Sequence, residues 1–323
     1  MLALLVAVAA CTGSQPNPVN GGREDADGGD DGGAGNLPEV VIPADLAQDV
    51  SSVSLDDQGT ADQSDDTLTV VGVALDGSPT EAVYTRQPVL DQPGYEAYST
   101  QDDRLDRIFV AVSATSEDGS VRSTAVADGG QFNRYFRGVF YERLTPLTRP
   151  SETDAEGLVS YAGTYAGLTN LEAQENDVRI PLQPGDDPST APTQPRQTTG
   201  DVFLNVDFSS NQVNGSISNR QFSDGEDLPD LALINAELDA EGQFTGTPEF
   251  DGRPDLGGQG TYGGIIGGTD ASSTAGGVFL DNIFLPDDPR DSNFDQEVGT
   301  FVLPRCGSGA TTPATCSGLD DLD

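Results

Sequence analysis

From Thr67 to Pro304 the chain is a succession of short runs in which apolar and polar residues alternate, cut by Gly, Asp, Asn and Pro. No stretch keeps a 3.6-residue period, so the pattern specifies strands and excludes a helical fold. TLTVVGVAL (67–75) is turned by DGSP, RIFVAVSAT (107–115) by SEDG and VRSTAVA (121–127) by DGG, and RYFRGVFYERL (134–144) follows. Eight further runs come after residue 157. They are LVSYAGTYAGL (158–168), GDVFLNVDF (200–208), VNGSISN (213–219), LALINAEL (231–238), QFTGTPEF (243–250), GQGTYGGIIGG (258–268), AGGVFLDNIF (275–284) and EVGTFVLP (297–304). In the second, Val202, Leu204, Val206 and Phe208 share one face, with Asn205 and Asp207 on the other. Eight antiparallel strands closing on themselves leave no exposed edge and an interior that side chains just fill. Gly215, Gly246, Gly260 and Gly263 stand where such a barrel must bend. Four of the eight runs are shorter than the roughly 9–11 residues a membrane-spanning strand needs, and the aromatics form no girdles, so a membrane barrel is not expected. The Pro-rich segment 181–200 reads as an exposed loop.

Charge restricts the chemistry. Fifteen basic residues, all Arg, face 54 acidic ones, for a net charge of −39, and there is no Lys, His or Trp. Without His there is no Ser-His-Asp triad, no Cys-His pair and no HExxH zinc site; without Lys there is no Schiff base or P-loop lysine. The acidity disfavours nucleic acid and anionic lipid headgroups as partners. Fifty-four carboxylates make any one pair uninformative about glycosidase chemistry, and a sugar site usually offers Trp. No catalytic residue, cofactor or metal ligand is assigned. Asp25, Asp27, Asp30 and Asp31 fail the EF-hand spacing, because Gly falls where ligands are needed.

Residues 1–10 are wholly apolar, too short to cross a bilayer and of the length of a signal-peptide h-region. Val8-Ala9-Ala10-Cys11 resembles the bacterial lipobox, which implies lipidation of Cys11 and cleavage before it; Thr12 in the next position implies the outer membrane. The alternative is a cysteine that happens to end an apolar terminus. Residues 12–66 carry thirteen acids and one Arg, a composition of disorder. With Cys11 assigned to lipid, Cys306 and Cys316 remain and can close a small disulfide loop in an oxidising compartment.

The order GTYAGL, GDVFLNVDF, VNGSISN, FTG, GTYGG and AGGVF over 158–304 resembles the C-terminal β-barrel of the transferrin-binding protein B family of bacterial surface lipoproteins. Tyr262-Gly263 and Gly276-Gly277-Val278-Phe279 fit its last motif, while GGTDASST between them does not. The resemblance implies a β-rich handle ahead of the barrel and a non-enzymatic role in capturing a protein or small solute. The expected organisation is a signal peptide at 1–10, a lipidated disordered tether at 11–66, a handle-like domain at 67–150, an eight-stranded barrel at 151–305, and a disulfide loop with an acidic tail at 306–323. An envelope-assembly lipoprotein without a ligand is the alternative, and a carboxylate glycosidase a minor one.

Seven of the fifteen Arg lie between Arg104 and Arg149. In RYFRGVFY, alternation puts Arg134, Phe136 and Phe140 on one face and Tyr135, Arg137 and Tyr141 on the other. Arg and Tyr are enriched at interface hot spots, which makes Arg134, Tyr135, Arg137 and Tyr141 the candidate partner-binding residues. The competing reading is an ordinary strand whose Arg pair with acids while its aromatics fill a core.

Overall fold

The computed structural model describes residues 37–60, 62–73, 79–131, 134–150, 157–292, 294–307 and 316. The apolar run 1–10, Cys11, the Asp cluster at 25–31 and the acidic C-terminal LDDLD lie outside them.

The described residues form two antiparallel meanders. The first holds β1 (Val50–Asp56), β2 (Thr67–Val73), β3 (Pro79–Arg86), β4 (Glu96–Thr100), β5 (Phe109–Thr115), β6 (Val121–Asp128) and β7 (Arg137–Arg143), each paired with the next. This sheet curls until its two edges nearly meet. The short helix α1 (Ala44–Ala47) and Asp49 bridge the gap. The Asp49 N–H donates to the Arg137 carbonyl at 2.9 Å, and the Arg137 N–H donates to Asp49 Oδ2 at 3.2 Å.

Residues 44–56, expected within the disordered tether, belong instead to this folded unit. Leu46, Val50 and Val53 are buried, and those three side chains anchor a segment whose average composition is that of a linker. β3 and β4 are not anticipated by the sequence reading either. In β3, Ala82 and Tyr84 face inward while Glu81 and Val83 are exposed, so its apolar content is low although its alternation is regular.

The second meander is a closed barrel of β8 (Leu158–Glu172), β9 (Pro195–Asp207), β10 (Gln212–Phe222), β11 (Leu231–Leu238), β12 (Gln243–Gly246), β13 (Pro248–Phe250), β14 (Gly260–Gly267), β15 (Ser273–Leu280) and β16 (Glu297–Pro304). β12 and β13 both pair with β11 and are one strand interrupted after Gly246, so the ring has eight strands. It closes where β16 pairs with β8, Val298 opposite Leu168. Val202, Leu204, Val206 and Phe208 all point into the barrel core, as the alternation requires.

Three strands are longer than the sequence runs suggest: β8, β9 and β10 have 15, 13 and 11 residues. Residues 195–200 of the expected loop open β9. Strand length therefore does not distinguish this barrel from a membrane one. Its outer face does: β9 and β10 carry Asn205, Asp207, Asn214 and Ser216 outward, where a lipid-facing barrel needs an apolar band.

The outer face of β8, β14, β15 and β16 is covered by the first sheet. Ala97, Val110, Val112, Ala125, Val139 and Tyr141 pack there on Ala166, Leu168, Ile265, Ala275, Phe279 and Val298. The glycines of AGGVF keep this approach close. A Cβ on Gly277 would stand 2.6 Å from Val139 Cγ1. Beside it, Ser123 Oγ donates to the Gly276 carbonyl at 3.0 Å.

Candidate functional site

A cavity of about 550 Å³ opens at one end of the curled first sheet. That size suits a small organic ligand. Its inner wall is built by Val50, Val70, Tyr84 and Val126, each at least nine-tenths buried, together with Phe109 and Phe136. These side chains face the cavity because the strands alternate and the curl turns one face of the sheet in on itself. Phe109 and Phe136 meet edge to face with ring centres 6.2 Å apart.

The tyrosine in this wall has an unusual status. Tyr84 is 4% exposed, and its hydroxyl has no hydrogen-bond partner among the described residues. The hydroxyl oxygen itself is not fully buried, so it reaches the open space of the cavity and can exchange a hydrogen bond with water or with a polar ligand atom there. Burial pushes its pKa well above the usual tyrosine value, and the charge of Asp128 adds to the effect.

The loop from β6 to β7 closes one side. Arg107 pairs with Asp128 and donates to the carbonyls of Arg134 at 3.0 Å and Gln131 at 2.5 Å. Asp128 Oδ1 accepts from the Gly130 and Phe136 N–H groups at 3.0 and 3.1 Å. Burial raises the Asp128 carboxyl above its ordinary value, against the Gly130 N–H and the Arg107 charge, which hold it down. Arg107 and Arg134 lie 5.1 and 4.5 Å from the centre of the Phe136 ring. The rim carries Glu81, Leu105, Asp102 and Asp106.

Of the four residues proposed from sequence, two face a solvent-accessible edge and two do not. Arg134 is half exposed and pairs with Asp49 at 2.7 Å. Arg137 is half-buried; its guanidinium lies 4.1 Å over the Phe279 ring and 5.2 Å from Tyr135, on the barrel side of the sheet. Burial lowers its pKa, opposed by Tyr135, Asp49 and Asp281. Tyr135 and Tyr141 are 7% and 2% exposed in the layer between the two sheets. The Tyr135 hydroxyl donates to the Leu168 carbonyl at 2.7 Å. The alternation of this strand is as read, but a second sheet covers one of its faces, which removes both tyrosines from any binding surface.

The Arg concentration is largely a set of fasteners. Arg104 pairs with Asp186, Arg122 with Glu142, and Arg143 donates to the Ile266 carbonyl at 2.9 Å. Cys306 and Cys316 are joined as a disulfide. The cavity residues Tyr84, Phe109 and Leu105 are not singled out by the sequence. The one local signal is QDDRLDRIF, where acids surround a lone Leu between two strands.

No family model matches the sequence, and no curated protein matches it. Among solved structures, the chain is similar to intact Ap-TbpB with its N and C lobes. Identity there is 11%, over 74% of this chain and 52% of the other, with a TM-score of 0.34. It is also similar to a point mutant of the vaccine antigen transferrin binding protein B from Haemophilus parasuis, at 13% identity over 74% of this chain and 51% of that one, with a TM-score of 0.35. The chain spans about half the length of each of these two proteins.

Proposed function

We propose that this chain is a non-enzymatic binding protein, anchored to the outer membrane through lipid on Cys11, which takes a small solute or an apolar protein group into the mouth of its first sheet. The observation that carries the reading is the cavity itself. It is an apolar, aromatic hollow of about 550 Å³ with an unengaged hydroxyl in its wall. The lipobox-like Val8-Ala9-Ala10-Cys11 supports the anchor, and the resemblance of 158–304 to a surface-lipoprotein barrel supports the setting. Arg134, at the edge of the mouth, stays a candidate contact. Tyr135 and Tyr141 are assigned to packing.

Native mass spectrometry of the full chain, purified from its own envelope, tests this reading. A bound solute is expected on the wild type and is lost in Ala82→Leu, which narrows the cavity. A lipid mass that disappears in Cys11→Ala tests the anchor. A lipidated protein carrying no solute in either form would favour an envelope-assembly role without a ligand.

A further inference from the structure

The charges around the cavity mouth are not balanced. Among the described residues Glu81, Asp102 and Asp106 have no ion pair, whereas of the cations nearby Arg107 and Arg134 are paired and Arg137 alone has no carboxylate partner. Arg107 is held by Asp128 and two carbonyls, Arg134 by Asp49, and the Arg137 guanidinium is stacked on Phe279. An anion entering the mouth would meet three uncompensated carboxylates against one unpaired cation, Arg137, whose guanidinium is turned to the Phe279 and Tyr135 rings; to gain Arg107 it would have to take it from a carboxylate that is 1% exposed. Leaving that carboxylate buried and alone is strongly unfavourable. The net charge of −39 adds a long-range field of the same sign, which concentrates cations at the surface and repels anions.

We propose that the cavity selects a small amphiphilic cation: an aromatic or aliphatic body bearing one ammonium or guanidinium group. The proposal rests on the binding reading above and names the ligand class for that same site. The body fills the space between Phe109, Phe136, Val70 and Val126. A polar atom on it meets the Tyr84 hydroxyl. The charged end stays at the rim, solvated on one side and facing Asp102 and Asp106 on the other. This arrangement keeps the cation partly hydrated, so attraction to the rim is not cancelled by full desolvation.

Calorimetric titration of the full chain with three probes of matched shape tests the assignment: naphthylmethylammonium, naphthylmethanol and naphthoate. The cation is expected to bind about tenfold more tightly than the alcohol, and naphthoate most weakly, with the preference shrinking as salt is added. Asp102→Asn with Asp106→Asn alters two exposed side chains and leaves the fold intact. It should bring the cation's affinity down to that of the alcohol, whose own affinity is unchanged. Ala82→Leu should weaken all three probes. If naphthoate binds as tightly as the cation, or the double variant keeps the preference, the charge assignment is overturned while the binding site stands. If no probe binds, or Ala82→Leu leaves binding unchanged, the cavity is not a binding site and both readings fall together.

Discussion

Arg220 on β10 and Glu297 on β16 meet at 2.7 Å inside the barrel, with both side chains fully buried. The other Glu297 oxygen accepts from the Tyr165 hydroxyl at 2.7 Å and the Thr198 hydroxyl at 2.9 Å. The network needs room. A Cβ on Gly299 would lie 2.0 Å from the Tyr165 hydroxyl, and one on Gly167 would lie 2.2 Å from Thr198 Oγ1. Breaking such a pair leaves one charge buried without its partner, so Arg220→Met and Glu297→Gln should each cost about 3–5 kcal/mol in urea unfolding. The double variant should cost less than the worse single one. It buries no unpaired charge, and the amide oxygen introduced by Glu297→Gln would still accept from Tyr165 and Thr198. A double variant that shows the full sum of the two losses would mean that the pair is not coupled.

Asp118 ties the β5–β6 turn to the β14–β15 turn. Its carboxylate accepts from the Ser116 hydroxyl at 2.6 Å, the Ser120 hydroxyl at 2.7 Å, the Ser273 hydroxyl at 3.1 Å and the Ser272 hydroxyl. Burial alone would raise its pKa, but these donors outweigh burial and hold it at about 2. A folded-state pKa below the unfolded one means stability that is present above about pH 4 and lost as pH falls toward 2. Asp118→Asn should therefore lower stability by about 1 kcal/mol at neutral pH. The gap to wild type should narrow between about pH 4 and 2 in thermal melts. A gap that stays constant over this range would rule the carboxylate out as its source.

Gly277 and Val139 set the distance between the two sheets. Gly277→Val places methyl groups where Val139 already stands and should cost about 1–3 kcal/mol as an overpacked contact. Val139→Ala in the same chain should recover part of that loss. Additive losses in denaturant titrations would show that the two residues do not press on each other.

The disulfide between Cys306 and Cys316 closes ten residues of sequence, with Cys316 buried. Restricting a loop of that length in the unfolded chain stabilises by about 2–3 kcal/mol. Reduction, or Cys306→Ser with Cys316→Ser, should lower the melting temperature by a few degrees while the barrel stays folded. A melting temperature unchanged by reduction would argue that the loop is constrained without the bond.

The barrel was legible because its cause is local. Val202, Leu204, Val206 and Phe208 alternate within one strand, and that period alone decides which face is buried. The same logic placed Tyr135, Arg137 and Tyr141 together on one face. What local alternation cannot carry is which face another sheet will cover. Tyr135 meets Leu168 across 33 residues, and Ser123 meets Gly276 across 153. β1 escaped notice because its apolar side chains are spaced by serines and it lies in a segment whose overall composition is acidic. The cavity escaped because it arises from the curl of seven strands, to which no single motif corresponds.

Both sheets are meanders, and every ladder but one joins strands that follow each other along the chain, β12 and β13 counting as one. Contacts close in sequence form with little loss of loop entropy. Each sheet can thus zip up strand by strand along the chain, with no other ladder held waiting for a distant strand. The exception is the seam where β16 meets β8, whose ladder must await the last strand. Until that seam closes, the barrel is an open ribbon with two bare edges.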